Sequence, residues 1–294
     1  SAIDGLKYVE NSGKIKITSM LYYNIAVAAK EQGDLLTAEK KINQALDLAR
    51  DSISIKIIGY DRVIGFHDTK ANILKEKGVY NEAIEIYETL LSEDLGILSG
   101  KIKARISGNL AHTLFFSKGF NKRSDSLLKQ SLSFYENDKE ISSDKKISGL
   151  ISVNMKLSEM YLKRNKLEAL SYLDEVIEQA GKLDNNKSLH EAYQQLIKIN
   201  GSNKNITKYL ALDIKVAREK DSLGSQFVTT KFDFEKSENK RIKAENKAVL
   251  TESKLARGRV QNLVLLLVLI ILLVLTFFIY QRIKRRHKIE KVKT

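Results

Sequence analysis

Residues 22–49 read YYNIAVAAKEQGDLLTAEKKINQALDLA, and their spacing decides the fold. Small or apolar residues fall at Ala26, Ala29, Gly33, Ala38, Ile42 and Ala45. Steps of three and four trace one face of a helix. The pattern predicts two amphipathic helices on either side of a turn at Gly33-Asp34. A glycine there supplies the left-handed backbone that ends a helix. Ala26 and Ala38 leave room for the two helices to approach closely.

The pattern recurs along the chain. Residues 67–91 repeat it with Ala71, Leu74, Gly78, Tyr80, Ala83, Tyr87 and Leu90. Residues 106–132 repeat it with Ala111, Gly119, Ser124, Leu128 and Ser131, one residue longer before the turn. Residues 151–180 repeat it with Leu157, Ser158, Tyr161, Ala169 and Leu173, one residue shorter after the turn. A degenerate fifth pair is expected from Leu189 to Lys220, and the opening DGLKYVENSGK reads as the second helix of an earlier, truncated unit.

This pattern resembles the tetratricopeptide repeat, a helix–turn–helix unit of about 34 residues. The family's Pro after the second helix is absent, because the chain has no Pro at all. The resemblance implies an all-α fold: a right-handed α-solenoid in which each unit buries its apolar face against its neighbours. Lack of Pro fits long uninterrupted helices. Lack of Cys removes disulfides, thiolate catalysis and thiolate metal sites.

Residues 222–259 change texture. They are polar and rich in Lys and Glu, with Ile242, Val249 and Ala256 seven apart. That spacing suits a coiled-coil seam, but Glu245 and Glu252 stand where the seam should be completed. A homodimer through this stalk and a single solvated spacer helix both stay open. Residues 260–280 then read VQNLVLLLVLIILLVLTFFIY, with no charge after Val260. As a helix, these 21 residues would rise about 31 Å, matching a hydrocarbon core of about 30 Å. We expect a transmembrane helix here.

The net charge of +14 is concentrated around that stretch. Residues 241–294 hold thirteen Lys/Arg against three Asp/Glu, a net +10, which leaves +4 for the first 240 residues. Cations at Arg282, Lys284, Arg285, Arg286 and Lys288 suit anionic headgroups of a lipid bilayer. A nucleic-acid partner for the main domain loses its chief support. Seven Lys/Arg follow Tyr280 and four stand in the 15 residues before Val260. This bias favours a cytoplasmic tail and an extracytoplasmic, periplasmic N-terminal domain. The opening SAIDGLKYVE has neither an initiator Met nor an apolar signal region, so a removed signal peptide or missing upstream sequence is expected.

No constellation in the chain points to catalysis. There is no GxxxxGK or GxGxxG loop and no GxSxG elbow. His67, His112, His190 and His287 have no second ligand at metal spacing. No enzyme activity, cofactor or metal is therefore expected. Binding remains. The repeat resemblance implies inward positions at Tyr23, Val27 and Lys30, at Asp68, Asn72 and Lys75, at Arg105, His112 and Phe115, and at Met155 and Glu159. This set lacks the run of Lys, Arg and Asn with which some relatives clamp a C-terminal carboxylate, so a chaperone-tail receptor is disfavoured.

The order is a solenoid over 1–221, a stalk over 222–259, a span over 260–280 and a basic tail over 281–294. It resembles the sensor half of bacterial tetratricopeptide-repeat sensor histidine kinases. The resemblance implies a protein- or peptide-binding sensor that signals across the membrane to a cytoplasmic output domain. No phosphoacceptor box or ATP site lies before Thr294. Two other readings are a membrane-tethered scaffold without output and the sensor part of a membrane-bound helix-turn-helix transcription regulator.

Overall fold

The computed structural model describes residues 2–92, 98–200, 202–219, 221 and 222, with scattered positions from Lys236 to Thr276. The expected stalk seam at Ile242, Val249 and Ala256 lies outside the described residues, as does the basic tail with Arg282, Lys284, Arg285, Arg286 and Lys288. Of the expected span only Gln261, Asn262 and Thr276 are described. Among the described residues no helix is long and apolar enough to cross a membrane. The chain divides into two compact units, Ser1–Thr229 and Thr230–Thr294.

The described residues of the first unit are all helix and connection, with no strand. Four hairpins are complete: α1 (Ala2–Glu31) with α2 (Leu35–Asp47), α4 (Tyr60–Glu76) with α5 (Tyr80–Ser92), α6 (Gly100–Lys118) with α7 (Lys122–Asn137), and α8 (Ser143–Tyr161) with α9 (Lys166–Lys182). A fifth begins with α10 (Asn186–Ile199) and continues in a helical run over 203–219. A short α3 (Ser52–Ile58) stands between α2 and α4.

Local chemistry places the helix ends. Gly33 and Gly78 turn the first two hairpins at φ +81° and +80°, values that disfavour any residue with a Cβ. Asp34 then caps α2, its Oδ1 accepting the Thr37 N–H at 3.0 Å. Asn121 caps α7 through a reciprocal pair with Ser124. The fourth turn has no glycine and relies on Asn165, which accepts the Glu168 N–H.

The small residues at the helix crossings are fully buried: Ala26, Ala38, Ala71, Ala83, Ala111 and Ala169 all have 0% exposure. Ser124 and Ser131 occupy two such positions with their hydroxyls satisfied. Ser131 Oγ donates to the Ala104 carbonyl at 2.8 Å. The core is a chain of overlapping clusters. Tyr87, Ile106 and Leu110 join α4, α5 and α6. Leu128, Val153 and Leu157 join α6, α7 and α8. Leu173, Val176 and Tyr193 join α8, α9 and α10. Each unit completes its neighbour's core, as stacked repeats require.

Two details depart from the sequence reading. The opening residues belong to the continuous 30-residue α1 and not to a separate second helix. Nothing between Ala2 and Glu31 breaks a helix. The second departure is α3, an extra short helix started by Asp51, whose Oδ1 accepts two backbone N–H groups. It ends at Gly59, where φ is +102°.

Candidate binding groove

The first helices of the hairpins touch one another: α1 packs on α4, α4 on α6, α6 on α8 and α8 on α10. Neighbouring second helices α5, α7 and α9 make no such contacts. The first helices therefore line the inner side of the curve, and one polar strip runs along them.

Asp68 anchors the strip on α4. Its Oδ1 accepts from Asn109 Nδ2 at 2.8 Å and from Asn72 Nδ2 at 3.1 Å. Its Oδ2 lies 2.9 Å from Arg105 Nε, an ion pair between α4 and α6. The Tyr87 hydroxyl donates to the Asp68 carbonyl, and burial beside that carboxylate pushes the phenol well above its usual range.

His112 on α6 and Glu159 on α8 form the next link, with Nε2 and Oε2 2.9 Å apart. His112 is 9% exposed and its Nδ1 has no hydrogen-bond partner. Burial lowers the imidazole to about 4, with Lys75 and Lys156 adding to the effect against the pull of Glu159. Burial alone would raise Glu159. The His112 hydrogen bond and the charges of Lys75 and Lys198 outweigh it and hold the carboxyl below its usual range. A neutral imidazole donating from Nε2 to a carboxylate fits both directions.

Two lysines face the same space. Burial lowers Lys75, with Lys30 adding to it and Glu76, Glu159 and Asp68 opposing. Burial and the Lys75 charge push Lys156 down to about 8. Its ammonium donates to Ser152 Oγ at 2.6 Å. Lys30 pairs with Glu31 at 3.1 Å and with Glu76 at 3.5 Å. Glu31 also pairs with Lys187 of α10, so a side-chain bridge joins the first hairpin to the fifth. Burial raises Glu191, which also senses Lys187 and Glu31.

Of the inward positions expected from sequence, Lys30, Asp68, Asn72, Lys75, Arg105, His112 and Glu159 come together in this strip. Asp68 and His112 are buried, so they frame the groove without being open to a ligand. Tyr23 is half-buried, its ring 5.1 Å from Phe66, and Val27 is half-buried one turn further along α1. Phe115 and Met155 pack against the hydrophobic clusters on either side of α8. Packing claims both side chains. Sequence reasoning missed Glu31, Glu76, Asn109, Lys156, Lys187 and Glu191. One signal was available: the Lys-Glu-x-Gly run at 30–33 recurs at 75–78.

The neutral state of His112 has a consequence for stability. Its folded value of about 4 lies below the ordinary 6.5, so the unfolded chain takes up the proton first. The contribution is complete above about pH 6.5 and is lost as the pH falls towards 4. Lowering the pH from 7.5 to 5 is expected to remove about 2 kcal/mol through this one group. His112→Gln should flatten that part of the profile in urea titrations run at each pH. Parallel wild-type and variant profiles would refute it.

The described chain is thus an all-helical protein of stacked hairpins with a charged inner strip. No protein-family profile matches it, and no curated protein matches it. A similar solved structure is the crystal structure of BtubC (BKLC) from P. vanneervenii, 20% identical, spanning 76% of this chain and 90% of that one at a TM-score of 0.46.

Proposed function

We propose that this chain is a tetratricopeptide-repeat-type module that binds a protein or peptide segment along the strip formed by α1, α4, α6 and α8. The carrying observation is that the first helices alone line the inner curve, with Lys30, Asn72, Lys75 and Glu159 on it. Half-buried cations and carboxylates in one groove recognise a segment of alternating charge and hydrogen-bonding groups better than a uniformly apolar one. In this reading the apolar stretch at 260–280 holds the module to a bilayer, and the bound state is relayed to an output domain in histidine-kinase-type signalling. The relay requires the ligand to favour one of two stalk arrangements.

Photo-crosslinking residues placed in cells at Asn72, Lys75 and Glu159 test the groove. Gln130 and Glu88 on second helices serve as controls. Adducts are expected from the first set only. Equal adducts from both sets would overturn the groove reading. Deleting residues 2–221 is expected to abolish the output response, and an unchanged response would overturn the relay.

A further inference from the structure

A cleft of about 280 Å³ opens between α6, α7 and α8 at the edge of the strip. Its charged lining is Lys101 and Arg105 from α6 and Asp144, Lys145 and Lys156 from α8. Ser148 and Ser152 stand between them. Among the described residues, no carboxylate lies within ion-pair distance (4 Å) of Lys101, Lys145 or Lys156. Arg105 is committed to Asp68. Among the described residues Lys156 donates only to Ser152, to Oγ at 2.6 Å and the carbonyl at 3.3 Å. Burial, then the neighbouring Lys145 and Arg105 charges, lowers Lys101 against the pull of Asp61.

The charge count selects the ligand. Four cations and one anion, Asp144, line the cleft; Asp68 pairs with Arg105, and Asp61 and Glu159 act on Lys101 and Lys156 from outside the lining, so the lining itself is positive. A phosphomonoester carries close to two negative charges at neutral pH and three acceptor oxygens. A lysine ammonium is a point donor that suits such a group from several directions. A planar carboxylate is best held by a free guanidinium fork, and here the Arg105 guanidinium already faces the Asp68 carboxylate in an ion pair. The volume is at the low end of ligand pockets, enough for one charged group. Glu31, Glu76, Glu159 and Glu191 along the rest of the strip disfavour a run of phosphates.

We infer that the cleft between α6 and α8 is a binding site for one phosphate group, held by Lys101, Lys145 and Lys156. It rests on the groove reading in that the group would be carried by the groove's ligand or arrive as the free ion.

Calorimetry of the full chain in detergent micelles tests it, with inorganic phosphate, phosphoserine and acetate as probes. Saturable one-to-one binding of phosphate is expected, with acetate at least about tenfold weaker. Lys145→Glu and Lys101→Glu should each weaken phosphate by about tenfold or more. Lys145 is exposed, so its variant keeps the fold, which circular dichroism verifies. Phosphoserine binding as tightly as phosphate supports a phosphorylated side chain as the source. Phosphate binding alone supports the free ion, and either result upholds the site. No saturable binding at millimolar phosphate, equal binding by both variants, or acetate as tight as phosphate overturns it. Groove-specific photo-adducts that persist in Lys145→Glu would show that the groove reading survives that failure.

Discussion

Asp68→Ala is expected to lower the unfolding free energy by about 3 kcal/mol. The side chain is 10% exposed, accepts from Asn72 and Asn109, and stands in an ion pair with the Arg105 guanidinium. Its removal leaves Asn109 Nδ2 without an acceptor and an arginine without its partner, in a site where water replaces neither fully. Breaking a buried pair costs about 3–5 kcal/mol, and Arg105 is 41% open to solvent, which places this one at the low end. Asp68→Asn keeps an acceptor and should cost about half as much. Urea titration followed by circular dichroism measures both. A loss under about 1 kcal/mol for the alanine variant would mean that the network adds little to the α4–α6 interface.

Gly149→Val is expected to cost about 2–3 kcal/mol for the opposite reason: too many atoms. A Cβ at Gly149 would sit 2.3 Å from Tyr135 Cε1 and 2.4 Å from Cδ1. Tyr135 is 4% exposed and packs between α7 and α8, so its ring can move only into the neighbouring cleft and at the loss of that packing. Either α8 lifts from α7 or the ring leaves its rotamer. The gain in helix propensity on losing glycine, about 0.5 kcal/mol, returns only part of the cost. Tyr135→Leu removes the colliding ring edge. The double variant should therefore be no less stable than Tyr135→Leu alone, a coupling that thermal or urea unfolding reveals. Additive losses would show that Gly149 matters for some reason other than the ring.

The hairpin register was legible because it rests on a steric requirement that only small residues meet. Ala26 and Ala38, Ala71 and Ala83 sit where two backbones pass, and a larger side chain there would be visible as a break in the pattern. Gly33 and Gly78 announce their turns for a similar reason. The short α3 was not legible. Its SISIKII alternates with period two, and only the Asp51 cap and packing against α1 make it a helix. The groove was half legible. Lys30 and Lys75 follow from repeat position, whereas Lys156 and Glu191 depend on how far each hairpin rotates against the last. Phe115 and Met155 show the limit of mapping by position, since a long apolar side chain at a groove edge falls into the nearest core.

The bridge between Glu31 and Lys187 spans 156 residues of sequence. A stack held only by neighbours unzips from its ends, each terminal unit loosening independently. A bond from the first hairpin to the fifth makes the two ends report on one another. Its side chains are 43% and 57% exposed, so the bond contributes roughly 0–1 kcal/mol and weakens in salt. The stack of hairpins thus carries a light latch between its first and fifth members, one that a rise in salt loosens before any core contact is touched.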